Sequence, residues 1–201
     1  VCDATFALGG APEWVVVNAG GHGLYRVAYD ATLLQALSAQ ALEVLSPSER
    51  YGLVDDTWAS VLAGQIDAET HLALVTGLAA ETDLAVWQRI LSSLEHLYSI
   101  ADQNGRPRLQ VLIRDLSTTA LGVLGLEPLE TEPDLDRELR ALLFTAAGTT
   151  GNDNSVQELA KAIFVASKTG QNSEPNLTAA AIRVMATAGN ENTHSDLVTL
   201  Y

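Results

Sequence analysis

Residues 45–64 read LSPSERYGLVDDTWASVLAG, and this stretch decides the fold class. Ser46 offers a hydroxyl at an N-cap and Pro47 stands where no amide donor is needed. Glu49 can return a hydrogen bond to the Ser46 backbone three residues earlier. Leu53, Val54, Trp58, Val61 and Leu62 then recur at three- and four-residue spacing, and Gly64 supplies a left-handed stop. The segment is predicted to be one amphipathic helix, started and ended by its own side chains.

The same rhythm extends in both directions. Upstream, from Asp30, Leu33, Leu34, Leu37, Ala41 and Leu45 line one face. Downstream, Asp67 can cap a helix with Leu72, Val75 and Leu78 inward. A longer helix entered at Thr82 or Asp83 buries Val86, Trp87, Ile90, Leu91, Leu94, Leu97 and Tyr98. Asn104-Gly105 ends it, and Leu109 to Leu124 carries the pattern on to Gly125. An acidic, proline-bounded loop at 127–133 follows, then a helix with Leu135, Leu139, Leu142 and Leu143 inward, closed by Gly148 or Gly151. Ser155-Val156-Gln157-Glu158 reads as a second capping box, opening a helix with Val156, Leu159, Ile163 and Phe164 inward and Gly170 at its end. Further helices are expected after Pro175, through Leu177, Ala181, Ile182 and Met185, and from Thr193 to Tyr201. Short helices joined by short loops stack as antiparallel pairs, so the expected fold is all-α, a HEAT-like α-solenoid with one concave face.

Residues 1–30 differ in kind. Trp14-Val15-Val16-Val17 is rich in β-branched residues, Asn18 to Gly23 is turn material, and Leu24 to Tyr29 resumes an extended pattern. This reads as a β-hairpin. A lone hairpin is marginal in water, so it should pack on the helices or belong to a larger sheet.

Composition agrees with packed helices. Hydrophobic residues make up 47% of 201, with only 5% aromatic. A formal charge of -14 repels phosphate backbones and anionic headgroups, so neither nucleic acid nor a membrane is an expected partner. Cys2 is the single cysteine, which allows no internal disulfide and no thiolate cluster. The unpaired cysteine favours a cytoplasmic location.

No residue set completes an active site. The histidines His22, His71, His96 and His194 include no pair four apart beside a Glu, and Glu95-His96 lacks a second ligand one turn away. They are expected to be solvated or capping. Gly20-Gly21-His22-Gly23 does not open a helix and so cannot cradle a phosphate on one. Asp55-Asp56 could bind a cation or pair with Arg50, although a solvated helix face is the ordinary reading. Arg26, Arg89, Arg106 and Arg108 could hold a peptide carboxylate, against the commoner role of surface ion pairs. Trp58, Trp87 and Tyr98 fall on apolar stripes and are expected in the core. The prediction is therefore no catalytic, cofactor-binding or metal-ligating residue.

Val17-Asn18-Ala19-Gly20-Gly21-His22-Gly23-Leu24-Tyr25-Arg26-Val27-Ala28-Tyr29-Asp30 resembles the passage from the small β-sandwich into the C-terminal helical domain of M1-family zinc aminopeptidases, of the aminopeptidase N and puromycin-sensitive type. The segments 45–50, 53–56 and 63–64 are similar to that domain's opening helices. Val86-Trp87, Leu139 to Leu143, Gly151-Asn152-Asp153 and Pro175-Asn176-Leu177 look like its continuation. The resemblance implies that residues 1–30 end a β-sandwich domain and that 31–201 form the C-terminal helical domain, truncated at its end. It implies a parent enzyme that removes N-terminal residues from peptides with a zinc-bound water and a glutamate base. The zinc helix and the substrate-binding motif of that family are absent from these residues, so no zinc or catalytic residue is carried over. The implied role is to cover the active site and shape the peptide cavity, with the catalytic domain of the same polypeptide and peptide substrates as partners. The alternative is a stand-alone α-solenoid that binds a protein partner.

Overall fold

The computed structural model describes residues 5, 9–10, 12–127, 129, 131–168, 174–189 and 191–199, without the side chains of 192, 194, 196 and 199. Cys2, Gly170, Tyr201 and the His194 side chain lie outside the described residues. The described residues contain nine α-helices, one 3₁₀ turn and no strand. The chain divides into two compact units, Val1–Gly77 and Leu78–Tyr201.

In the first unit, α1 (Ala31–Val44), α2 (Pro47–Leu62) and α3 (Ala68–Gly77) follow the 3₁₀ turn Ala19–Gly21. Each helix starts on a side chain that the sequence displays. Asp30 accepts from the Leu33 amide at 2.9 Å, Ser46 and Glu49 form the capping box that starts α2, and Asp67 accepts from the Thr70 amide at 2.7 Å. Gly64, at φ 67°, takes the left-handed position that stops α2, as expected. The core of this unit is Leu34, Leu37, Ala41, Leu45, Leu53, Val54, Trp58, Leu74 and Val75, and α3 packs on both α1 and α2. Two expectations fail. Leu62, placed on the inward stripe, is 61% exposed. His71, expected in solvent, is fully buried, its ring 5.3 Å from that of Trp58. Helical spacing identifies the inward side of α3 but not how much of it the neighbouring helices cover.

Residues 12–29 form no strand pair, contrary to the hairpin expectation. The reason is local. Main-chain groups that a ladder would use are taken by side chains: the Asn18 amide donates to the Gly23 carbonyl at 3.1 Å and accepts from the Gly23 N–H at 2.7 Å. The Val17 N–H donates to the Tyr29 phenol at 3.1 Å, and the Tyr25 phenol donates to the Val17 carbonyl at 3.2 Å. Gly20 and Gly21, at φ 75° and 69°, permit the turn between them.

In the second unit, α4 (Leu84–Ile100), α5 (Gly105–Leu124), α6 (Asp134–Gly148), α7 (Asn154–Lys168), α8 (Pro175–Ala188) and α9 (Glu191–Thr199) follow in order. Sequential neighbours pack together from α4 to α9, and α6 also touches both α4 and α8. Helices α4, α6 and α8 therefore form one layer, with α6 at its centre. Trp87, Ile90, Leu94, Ile113, Leu139, Leu143, Phe144 and Val184 are buried, each stabilising the core by roughly 1.5–3 kcal/mol. The Trp87 indole N–H finds the Glu81 carbonyl at 2.8 Å. At Gly148 the layer closes tightly: a Cβ there would lie 2.7 Å from Val184 and 3.1 Å from Val156. Asp153, not Ser155, caps α7 by accepting from the Val156 amide at 2.9 Å, so that helix starts earlier than the capping-box pattern indicates. Leu135 and Leu159, expected inward, are exposed. The sequence's two lysines, Lys161 and Lys168, both sit exposed on α7.

Candidate functional site

The layer of α4, α6 and α8 carries a hollow of about 300 Å³. Each helix contributes polar groups to it from the face turned away from the core: Gln88 from α4, Glu138 from α6, Asn176 and Arg183 from α8. Leu84, Leu142, Ala179 and Ala180 form its apolar floor. Amide, carboxylate and guanidinium groups over small side chains suit an extended peptide, whose backbone needs donors and acceptors along its length. The local sequence explains the placement. Leu139, Leu143 and Phe144 fix the inward face of α6 and leave Glu138, Ala141 and Leu142 beside it. On α8, Leu177, Ala181 and Val184 do the same for Asn176, Ala180 and Arg183. Pro175 at the first helical position and Glu174, which accepts from the Asn176 and Leu177 amides at 3.0 and 2.6 Å, fix where α8 begins. The sequence offered none of Gln88, Glu138, Asn176 and Arg183 as a site residue; Asn176 entered only within the Pro175-Asn176-Leu177 resemblance. No motif links them, because adjacency in the layer, not chain spacing, brings them together.

The residues weighed from the sequence are scattered. His22 is exposed beside the 3₁₀ turn, His96 is exposed on α4, and His71 is buried on α3. Among the described residues no group of three or more His, Cys, Asp or Glu is placed to hold a metal ion. Asp55 and Asp56 pair with Arg26: the Arg26 guanidinium contacts Asp55 and lies 3.0 Å from Asp56, which holds its pKa above the ordinary value. Arg50 donates to the Leu45 carbonyl at 2.6 Å. Arg106 lies 5.9 Å from the Tyr98 ring centroid, and Arg108 is exposed. Trp58 and Trp87 are core, as expected, whereas Tyr98 is only half-buried.

The α5–α6 connection holds the most buried ion pair described. Arg140, 1% exposed, donates to both Glu132 oxygens at 2.8 and 2.7 Å and to the Gly125 carbonyl at 2.7 Å. Arg140 holds the Glu132 carboxyl below the usual carboxylate range. This is structural anchoring.

Comparison with known proteins adds family. The model of the ERAP1-like C-terminal domain matches residues 14–201. Aminopeptidase M1-A of Oryza sativa subsp. japonica is 29% identical over 187 residues, covering 89% of this chain and 21% of the relative. Aminopeptidase M1 of Arabidopsis thaliana is 28% identical over 162 residues, 79% of this chain and 18% of the relative. Aminopeptidase 2 of Candida albicans is 28% identical over 203 residues, 98% of this chain and 22% of the relative. The chain thus spans about a fifth of the length of these relatives. No described helix is long and apolar enough to cross a membrane. With residues 14–201 matched across both units, the chain belongs to the ERAP1-like C-terminal domain family and is similar to that portion of M1 aminopeptidases.

Proposed function

We propose that this chain is the covering portion of a zinc-dependent aminopeptidase that removes N-terminal residues from peptides. The zinc and the base belong to a catalytic domain of the same polypeptide. The helices of this chain supply one wall of the peptide cavity and exclude water from it. The observation that carries the reading is the polar hollow on the α4–α6–α8 layer of a chain whose family match spans residues 14–201. In this reading residues 31–201 are the C-terminal helical domain and 1–30 end the preceding β-sandwich, where residues 14–29 would find the sheet partner they lack alone. Contacts between alternate helices α4, α6 and α8 support a HEAT-like stacking of helix pairs. A cytoplasmic site of action fits the single cysteine.

Two measurements test this. The chain alone is expected to leave aminoacyl chromogenic substrates intact, and zinc-dependent turnover by it sinks the proposal. In the full-length enzyme, Arg183→Ala with Gln88→Ala is expected to raise KM for long peptides while leaving kcat for a single-residue substrate unchanged. Equal effects on both substrates contradict a wall that meets only the distal peptide. A protein partner held by the isolated chain through the same hollow would favour the stand-alone module.

A further inference from the structure

Residues 18–27 are held to α2 by three carboxylates, with Val27 the one side chain among them buried in the core. Glu49 on α2 accepts from the Gly20 N–H at 2.7 Å. Asp56 on α2 accepts from the Val27 N–H at 3.2 Å and, with Asp55, holds the Arg26 guanidinium. One helix therefore grips the segment near both ends through three acidic side chains. Two hollows flank its C-terminal end. Val27 and Tyr29 border both, one of about 30 Å³ beside Leu37, Leu45 and Leu53, the other of about 240 Å³ beside Thr57, Ser60 and Ile66. At the outer bend Leu24 is fully exposed and Tyr25 half exposed, so neither is anchored in the core.

We infer that residues 18–27 are a carboxylate-latched strap, which lifts from α2 as a unit when Glu49, Asp55 and Asp56 lose their charge while α1–α3 stay folded. The groups facing these carboxylates are Arg26, Tyr25, Tyr29 and His22 from the strap, the His22 ring lying against Gly20, with Arg50 on α2 itself. From α1 and its C-cap the facing residues are Leu37 and Leu45, which do not titrate, and His71 of α3 lies against Trp58. The Gly20 N–H, followed by Ser46, holds the Glu49 carboxyl below its ordinary pKa. A depressed folded-state pKa stabilises the latched form above the ordinary carboxylate range and loses that effect as pH falls through the folded value. Acid is therefore the releasing condition.

The test is amide hydrogen exchange on the whole chain, corrected for intrinsic rates and read residue by residue. In Glu49→Gln/Asp55→Asn/Asp56→Asn at neutral pH, protection at Gly20 and Val27 is expected to fall about tenfold or more while Leu37 and Val54 change less than about twofold. Wild type is expected to show the same selective loss as pH falls through and below the ordinary carboxylate range, and His22→Gln is expected to leave that transition in place. If the triple variant fails to fold, the wild-type titration decides alone. Unchanged protection at Gly20 and Val27, loss shared with Leu37 and Val54, or a transition that follows His22 overturns the inference.

Discussion

Two connecting segments of this molecule are held by acid–base pairs, and burial separates them. At the α5–α6 connection Glu132 and Arg140 are 6% and 1% exposed, and every guanidinium nitrogen of Arg140 has an acceptor. At the strap, Arg26 is 61% exposed, although its partners Asp55 and Asp56 are only 23% and 12% exposed. Water can replace either partner at the strap; it cannot at the α5–α6 connection. A buried charge deprived of its partner is costly, whereas exposed pairs contribute little. The acidic loop after α5 is therefore built in by the fold, and the strap is attached to it.

The largest expected effect is at the buried pair. Arg140→Leu removes the buried guanidinium that serves both Glu132 and the Gly125 carbonyl and should destabilise by about 3 kcal/mol, seen as a lower denaturation midpoint. Arg137, whose Nε lies 3.4 Å from Glu132, offsets part of this. Adding Glu132→Leu should recover most of the loss, because an apolar pair removes the orphaned charge; a double variant no better than the single would mean that Arg140 acts mainly through the Gly125 carbonyl. Next in size is Gly148→Ala, expected to cost about 2 kcal/mol by driving a methyl into Val184, with partial rescue by Val184→Ala. Acidification comes next. Since Glu132 is held below its ordinary pKa, its stabilisation is complete above the carboxylate range and declines as pH falls through the folded value, so wild type should lose more on acidification than the Arg140→Leu/Glu132→Leu variant. Smallest is Arg26→Ala, about 0.2–1 kcal/mol and reduced further by salt; a loss as large as that of Arg140→Leu would abolish the contrast between the two anchors.

Local chemistry was legible in the sequence; tertiary coverage was not. Asp30, the Ser46–Glu49 box, Asp67, Asp83 and Gly64 act within one helical turn of themselves, so their roles could be read from neighbouring letters. Ser155 obeyed the same rule and lost to Asp153, which accepts the Val156 amide first. Leu62, Leu135 and Leu159 lie on apolar stripes but project beyond what the adjacent helices cover, and no periodicity encodes that edge. His71 was buried by its neighbours, not by its own pattern. The extended reading of 14–29 failed because Asn18, Tyr25 and Tyr29 satisfy main-chain groups that a second strand would otherwise pair. The hollow on α4, α6 and α8 was invisible for the same reason as His71: three separated helices supply it.

The placement of Lys161 and Lys168 has a practical corollary. They are seven positions apart, close to two full turns, and both side chains reach solvent from α7. Amine-directed reagents, whether fluorophores, cross-linkers or a sensor surface, will thus attach along one edge of this helix apart from the chain's own α-amino group. The polar hollow draws its lining from α4, α6 and α8, so neither lysine lines it.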